Sequence, residues 1–360
     1  MLYHLRGLFF VDYPYLVRKS LYSSALYAVT GYGHQAVIVF FVLSGYFIGT
    51  SVMESVVKLR WSWRVYLVSR ITRLQLVLFP ALLLGAIWDG IGMRVPQAAP
   101  LYYDALYKFN ITSVAVRFTV SNFLENFFYL QSIISPVFGS NGPLWSLSYE
   151  FWYYIIFPTM ILAAATWVGT RMRIIYAGLF LFLLWYVGWQ LSFYFLIWLV
   201  GAFEGYLVMF TKLKPLFPGI TLLGGIAFVG ALAWSRTHRL SSDVWTDYLF
   251  AICFALYLYA MLFGSREDVS PNYESLAKKL AGFSYTLYLT HFPALLLLRG
   301  LVDPHGNWQP DLQHLTCAAG FGLAMVIYAY CVAELTEAHT ATVRRWLLNA
   351  TAPKEEVVHS

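Results

Sequence analysis

Nine stretches of this 360-residue chain are long and apolar enough to cross a bilayer: about 35–53, 74–92, 143–167, 174–190, 192–210, 217–234, 245–263, 282–300 and 313–333. A hydrocarbon core takes roughly 20 predominantly apolar residues as a helix. Lipid offers the backbone no hydrogen-bonding partner, so such segments fold as helices, which satisfy their own N–H and C=O groups. The predicted fold class is therefore all-α, a polytopic transmembrane helix bundle. Composition excludes the ordinary soluble alternative. Hydrophobic residues make up 59% of the chain and charged residues 12%, against about 25% charged in soluble domains. The stretch 122–138 is also apolar but short and flanked by polar residues, which predicts an interfacial or re-entrant element.

The formal charge of +6 needs no nucleic acid to explain it, because basic loops that orient a membrane protein suffice. If 54–73 faces the cytoplasm, 15 Lys and Arg residues fall on that side and 9 on the other. Lys58, Lys212, Lys214 and Arg266 belong to the first set, and Arg236, Arg239 and Arg299 to the second. Residues 1–350 read as one transmembrane domain, and 351–360 as a polar, disordered cytoplasmic tail. Cys253, Cys317 and Cys331 are odd in number, lie in apolar spans and form no CxxC, so neither a disulfide framework nor a metal site is predicted. No phosphate-binding loop, HExxH or GxSxG pattern is present.

Three sets of residues carry chemistry. The run from Pro143 to Pro158 places Glu150 in an aromatic, apolar segment, and an ionised side chain there costs roughly 3 kcal/mol or more unless it faces a protein interior or water. On a helix beginning at Pro143, Ser146, Glu150 and Tyr153 share one face. That stripe is either a site or a contact with a neighbouring helix. Arg70 and Arg73 share a face just before an apolar run, and Arg60 and Arg64 form a second pair nearby. Guanidinium groups so arranged suit phosphate oxygens, although arginines flanking a span also act as plain anchors. Among the histidines, His4 and His34 are expected near the outer surface at the level of Glu150. His291 is expected inside a span, where catalysis and a helix–helix hydrogen bond are equally open.

Four blocks, in order, resemble the membrane-bound acyltransferase-3 family of O-antigen and exopolysaccharide O-acetyltransferases. They are Phe40-Phe-Val-Leu-Ser-Gly-Tyr-Phe-Ile48; Arg70-Ile-Thr-Arg73 with Pro80; Trp145-Ser-Leu-Ser-Tyr-Glu150 with Tyr153 and Pro158; and Ser284-Tyr-Thr-Leu-Tyr-Leu-Thr-His291 with Pro293. The family is a ten-span bundle with a histidine near the outer end of the first span. Here Leu2-Tyr-His4 resembles the end of that span, His4 matches the family histidine, and the arginine that precedes it in the family has no counterpart. The resemblance therefore predicts a late start, nine spans where the family has ten, and a frayed His4.

The resemblance implies an O-acyltransferase that moves an acyl group, usually acetyl, from cytoplasmic acyl-CoA to a hydroxyl of a cell-surface or lipid-linked glycan. The membrane would be the bacterial cytoplasmic membrane. Arg70 and Arg73, with Arg64 beside them, would hold the CoA phosphates. His4 would be the general base or an acyl relay, and Glu150 would orient it or a sugar hydroxyl, as a carboxylate does in a triad. Trp145, Ser148, Tyr153, His34 and His291 are the expected substrate contacts; no metal and no nucleic acid is expected, and membrane lipids are the remaining partners. The competing readings are a transporter or flippase without chemistry, and an inactive truncated relic.

Overall fold

The structure, a computed structural model, describes all residues except 110, 212–218, 238–243, 264–269, 306 and 353–360. The charges Lys212, Lys214, Arg239 and Arg266, and most of the expected tail, lie outside the described residues. In chain order the α-helices are α1 (Leu2–Phe9), α2 (Leu21–Val29), α3 (Gly33–Val57), α4 (Trp63–Gly92), α5 (Pro100–Tyr103), α6 (Val114–Arg117), α7 (Val120–Phe127), α8 (Trp145–Ala164), α9 (Thr170–Phe210), α10 (Ile220–Thr237), α11 (Val244–Phe263), α12 (Pro271–Ala281), α13 (Ser284–Val302), α14 (Leu312–Leu335) and α15 (Thr340–Ala350). Among the described residues there is no β-sheet, as the apolar runs require. Among the described residues six helical segments are long and apolar enough to cross a membrane. One of them, α9, holds two of the expected spans: Gly188 at φ 82° breaks the helical path, a backbone conformation glycine adopts without steric cost. The stretch 122–138 holds no helix long enough to span a bilayer. It is the eight-residue α7 followed by irregular chain.

The tightest helix pair is α3 against the second half of α9. A Cβ on Gly45 would sit 1.9 Å from the Trp198 carbonyl oxygen, and one on Gly201 would sit 1.8 Å from that of Val42. Lipid tails are as apolar as leucine, so helices in a membrane gain by close backbone packing, which small residues permit. Around this pair Phe41, Val42, Val52, Tyr153, Phe157 and Trp198 form the larger core. A second core joins α1, α5, α13 and α14 through Leu8, Phe9, Tyr102, Phe292, Leu295 and Met325.

The connection between α4 and α8 is held by buried polar side chains. Asp89, buried near the end of α4, accepts hydrogen bonds from the Ser140 amide and hydroxyl, both at 2.7 Å. Asn126 accepts from the Phe138 amide at 3.0 Å and donates to the Pro136 carbonyl at 3.0 Å. These bonds supply backbone partners to a buried irregular segment that has no helix or sheet to supply them.

Candidate active site

His4 is not frayed. It lies in α1, whose Leu5, Leu8 and Phe9 are buried in the second core. Its Nδ1 is 2.8 Å from His291 Nε2, and the two rings stack with centroids 5.0 Å apart. Phe292 and Phe109 pack edge-on against it at 5.0 and 5.9 Å. His291 Nδ1 is 2.7 Å from the Leu287 carbonyl oxygen. A carbonyl only accepts, so His291 Nδ1 carries the proton and its Nε2 is bare in the neutral ring. His4 Nδ1 must then donate to His291, which leaves His4 Nε2 unprotonated. The chain of bonds from Leu287 through His291 thus fixes His4 in the tautomer that can take a proton.

The expectation that Glu150 orients His4 meets a different arrangement, because His291 holds that position. Glu150 is 7% exposed, and its Oε1 accepts from Tyr154 OH by a short hydrogen bond and from Ser44 Oγ at 3.5 Å. Arg70 lies over the Tyr154 ring at 5.8 Å. The carboxylate is therefore linked to the arginine cluster. Its two neighbours on the polar stripe reach different helices: Ser146 Oγ lies 2.7 Å from Tyr288 OH on α13, and Tyr153 OH donates to the Leu191 carbonyl on α9 at 2.8 Å. Ser148 is fully buried and donates to the Trp145 carbonyl at 3.0 Å.

The arginines line a cavity of about 540 Å³ between the end of α3, the start of α4 and α15. Arg60, Arg70, Arg73 and Arg344 contribute to its wall, with the hydroxyls of Ser51, Ser55, Ser62, Ser69 and Thr340. Arg64 is not on this wall; its place is taken by Arg60 and Arg344. Trp61 Nε1, Tyr66 OH and Arg70 Nε, all on wall residues, are buried without a hydrogen-bond partner among the described residues. Buried donors are nearly always paired, so a wall of unpaired donors and guanidinium groups is matched to an anion rich in oxygen acceptors. Thr286 ties this cavity to the histidine pair. Its hydroxyl and amide donate to Oε2 of the wall residue Glu337 at 2.8 and 3.3 Å, and His291 lies about 8 Å further along α13 at helical rise.

A second cavity, of about 440 Å³, borders α1 on the side of Phe109. Asp12, Lys108 and Arg299 line it, and Lys108 Nζ pairs with Asp12 at 2.8 Å. Burial pulls the Lys108 ammonium below the usual lysine range, and the Asp12 carboxylate works in the opposite direction. His34, at the start of α3, pairs with Asp247 of α11 at 2.8 Å, and Tyr194 OH donates to the same carboxylate at 2.6 Å. Trp145 stacks against His34 with centroids 6.5 Å apart.

The arrangement adds Tyr154, Asp247, Tyr194 and Arg344 to the expected residues, and of the pair Arg60 and Arg64 it puts Arg60 on the cavity wall. Tyr154 was within reach of sequence reasoning, since it lies four residues from Glu150 on the same helix. Asp247, an acid at the edge of an apolar run, carried a weaker signal of the same kind. Nothing in the spacing pointed to its partner His34.

A family model described as an acyltransferase domain, that of the acyltransferase-3 family, matches residues 1–331. No curated protein and no solved structure matches the chain.

Proposed function

Because the chain belongs to the acyltransferase-3 family and has membrane-spanning helices, we propose that this membrane acyltransferase takes an acyl group, acetyl in the simplest case, from acyl-CoA and delivers it to a hydroxyl of a cell-surface or lipid-linked glycan. The observation that carries this reading is the His4–His291 pair, which leaves His4 Nε2 free to accept a proton. The arginine cavity supports a phosphate-bearing donor. The polar cavity beside Phe109, whose ring also contacts His4, supports a hydroxylated acceptor.

In this reading the guanidinium groups of Arg60, Arg70 and Arg73 hold the phosphates of CoA, with the acyl end directed along α13 towards His291. His4 Nε2 takes the proton of the acceptor hydroxyl as its oxygen attacks the thioester carbonyl. The C–S bond breaks, the thiolate leaves, and the proton on His4 passes to it, giving the ester and free CoA. His291 keeps His4 in the required tautomer and spreads the positive charge that forms. Glu150, bonded through Tyr154 to the arginine side, positions that wall of the donor site. His34 with Asp247 and Trp145 form an aromatic and charged edge suited to a sugar ring. The host membrane is proposed to be the bacterial cytoplasmic membrane, with the arginine cavity on the cytoplasmic side, in line with the excess of basic residues there.

The test is acyl transfer by purified protein in liposomes supplied with labelled acetyl-CoA and an O-antigen or lipid-linked glycan. Ester-linked label on the glycan, absent with His4→Ala, is the expected result.

A further inference from the structure

The acyltransferase match ends at residue 331, and the structure continues through a turn into α15. By sequence, Arg344 on this helix is one more basic residue at a membrane surface. The structure gives it a wall of the arginine cavity, together with Thr340 and Ala341 one turn before it.

We infer that α15 is part of the acyl-CoA site, and that Arg344 and the amino-terminal turn of α15 bind the phosphates of the donor. The inference rests on the donor reading given above. Two independent observations carry it. First, α15 presents its N-terminus to the cavity with no side-chain cap, the Thr340 amide being taken by the Glu337 carbonyl of the preceding turn. The leading N–H groups of a helix and its dipole favour an anion there, and a guanidinium four residues on completes a fork for phosphate oxygens. Second, the opposite wall carries Tyr66, only 8% exposed, whose hydroxyl has no partner among the described residues, beside the unpartnered Arg70 Nε. Unpaired polar atoms on the α4 side of the cavity, with a guanidinium and an uncapped helix end on the α15 side, point to one ligand between them. Glu337, on the same cavity, does not oppose this arrangement. Its Oε2 is held by Thr286, and four arginines outnumber its charge.

α15 therefore extends the donor site beyond the part of the chain that the family model covers. Arg344 acts on the nucleotide portion of the donor and leaves the acyl-bearing arm untouched. Its removal weakens CoA and spares donors that lack phosphate.

The experiment measures CoA affinity by calorimetry on the full-length protein in detergent, for wild type, Arg344→Ala, Arg344→Lys and Arg345→Ala. Arg345 is on the same helix but not on the cavity wall, so it controls for charge and for folding of α15. Loss of a charge-assisted hydrogen bond to phosphate predicts about tenfold weaker binding for Arg344→Ala. Partial recovery is expected for Arg344→Lys, and no change for Arg345→Ala. Use of acetyl-pantetheine, which has no phosphate, is expected to be equal in all four. If Arg344→Ala binds CoA as wild type does, α15 is not part of the site and the inference falls while the donor reading stands. If wild type itself does not bind CoA, the donor reading falls and takes the inference with it.

Discussion

His4 Nδ1 and His291 Nε2 lie 2.8 Å apart although 287 residues separate them in the chain. The bond brings the short first helix against the middle of α13, and the Leu287 carbonyl behind His291 decides which nitrogen of each ring holds the proton. One consequence can be tested directly on His291. In His291→Phe the bond is lost and His4 can turn its other nitrogen outward, so kcat should fall by at least about a hundredfold, the lower range of general-base effects. In His291→Gln the side-chain oxygen can stand near the former Nε2 and accept from His4, so part of the rate should return. KM for acyl-CoA should move little in either. Equal rates for the Phe and Gln variants would show that His291 does not act through its ring nitrogen.

Glu150 is tied to Tyr154 and Ser44. Glu150→Ala leaves the buried Tyr154 hydroxyl without an acceptor and should destabilise the protein by about 1–3 kcal/mol. Glu150→Gln keeps an accepting oxygen, so it should fold normally and lose only what the charge contributes. We expect it to insert into the membrane and to lose most acyl transfer. Thermal unfolding in detergent together with the transfer assay separates the two effects, and full activity in Glu150→Gln would remove the carboxylate from the mechanism.

Arg70 and Arg73 share the wall of the arginine cavity. Replacing either with Ala should raise KM for acyl-CoA by about tenfold, as expected for one charged hydrogen bond. Lys should restore less than half of that loss in free energy, because it has no planar fork. Wild-type KM in both Ala variants would reduce these residues to topological anchors.

Gly45 has no room for a side chain, since its Cβ would meet the Trp198 carbonyl oxygen at 1.9 Å. Gly45→Ala must push α3 away from α9 and should cost about 3 kcal/mol or more, at the upper end of overpacking penalties. Gly178→Ala, with nothing within 4 Å of the new methyl, is the control and should be neutral or mildly stabilising. Matching unfolding temperatures for the two variants would contradict the tight α3–α9 contact.

Much of the fold was legible because membrane crossing imposes long apolar runs. The helices follow from that constraint with little help from residue detail. Arg70 and Arg73 were legible as a pair because helical spacing puts them on one face. Glu150 was legible because a carboxylate in an apolar segment is costly. What spacing could not supply was the partner of each group. The bonds from His4 to His291 and from His34 to Asp247 join residues far apart in sequence, and such contacts are set by how helices assemble. The expected frayed terminus failed for a related reason: Leu5, Leu8 and Phe9 bury α1 in the second core, and tertiary packing overrides the tendency of chain ends to fray.

His4, as the base that activates the acceptor, is the residue on which a reaction fed by acyl-CoA turns. The most direct measurement is transfer of labelled acetyl from acetyl-CoA to glycan by wild type and His4→Ala, at equal amounts of protein in liposomes, with CoA affinity measured on the same samples. His4→Ala should bind CoA as wild type does and transfer at least about a hundredfold more slowly. Equal transfer rates in the two proteins would overturn that role and would direct attention to His34, which pairs with Asp247.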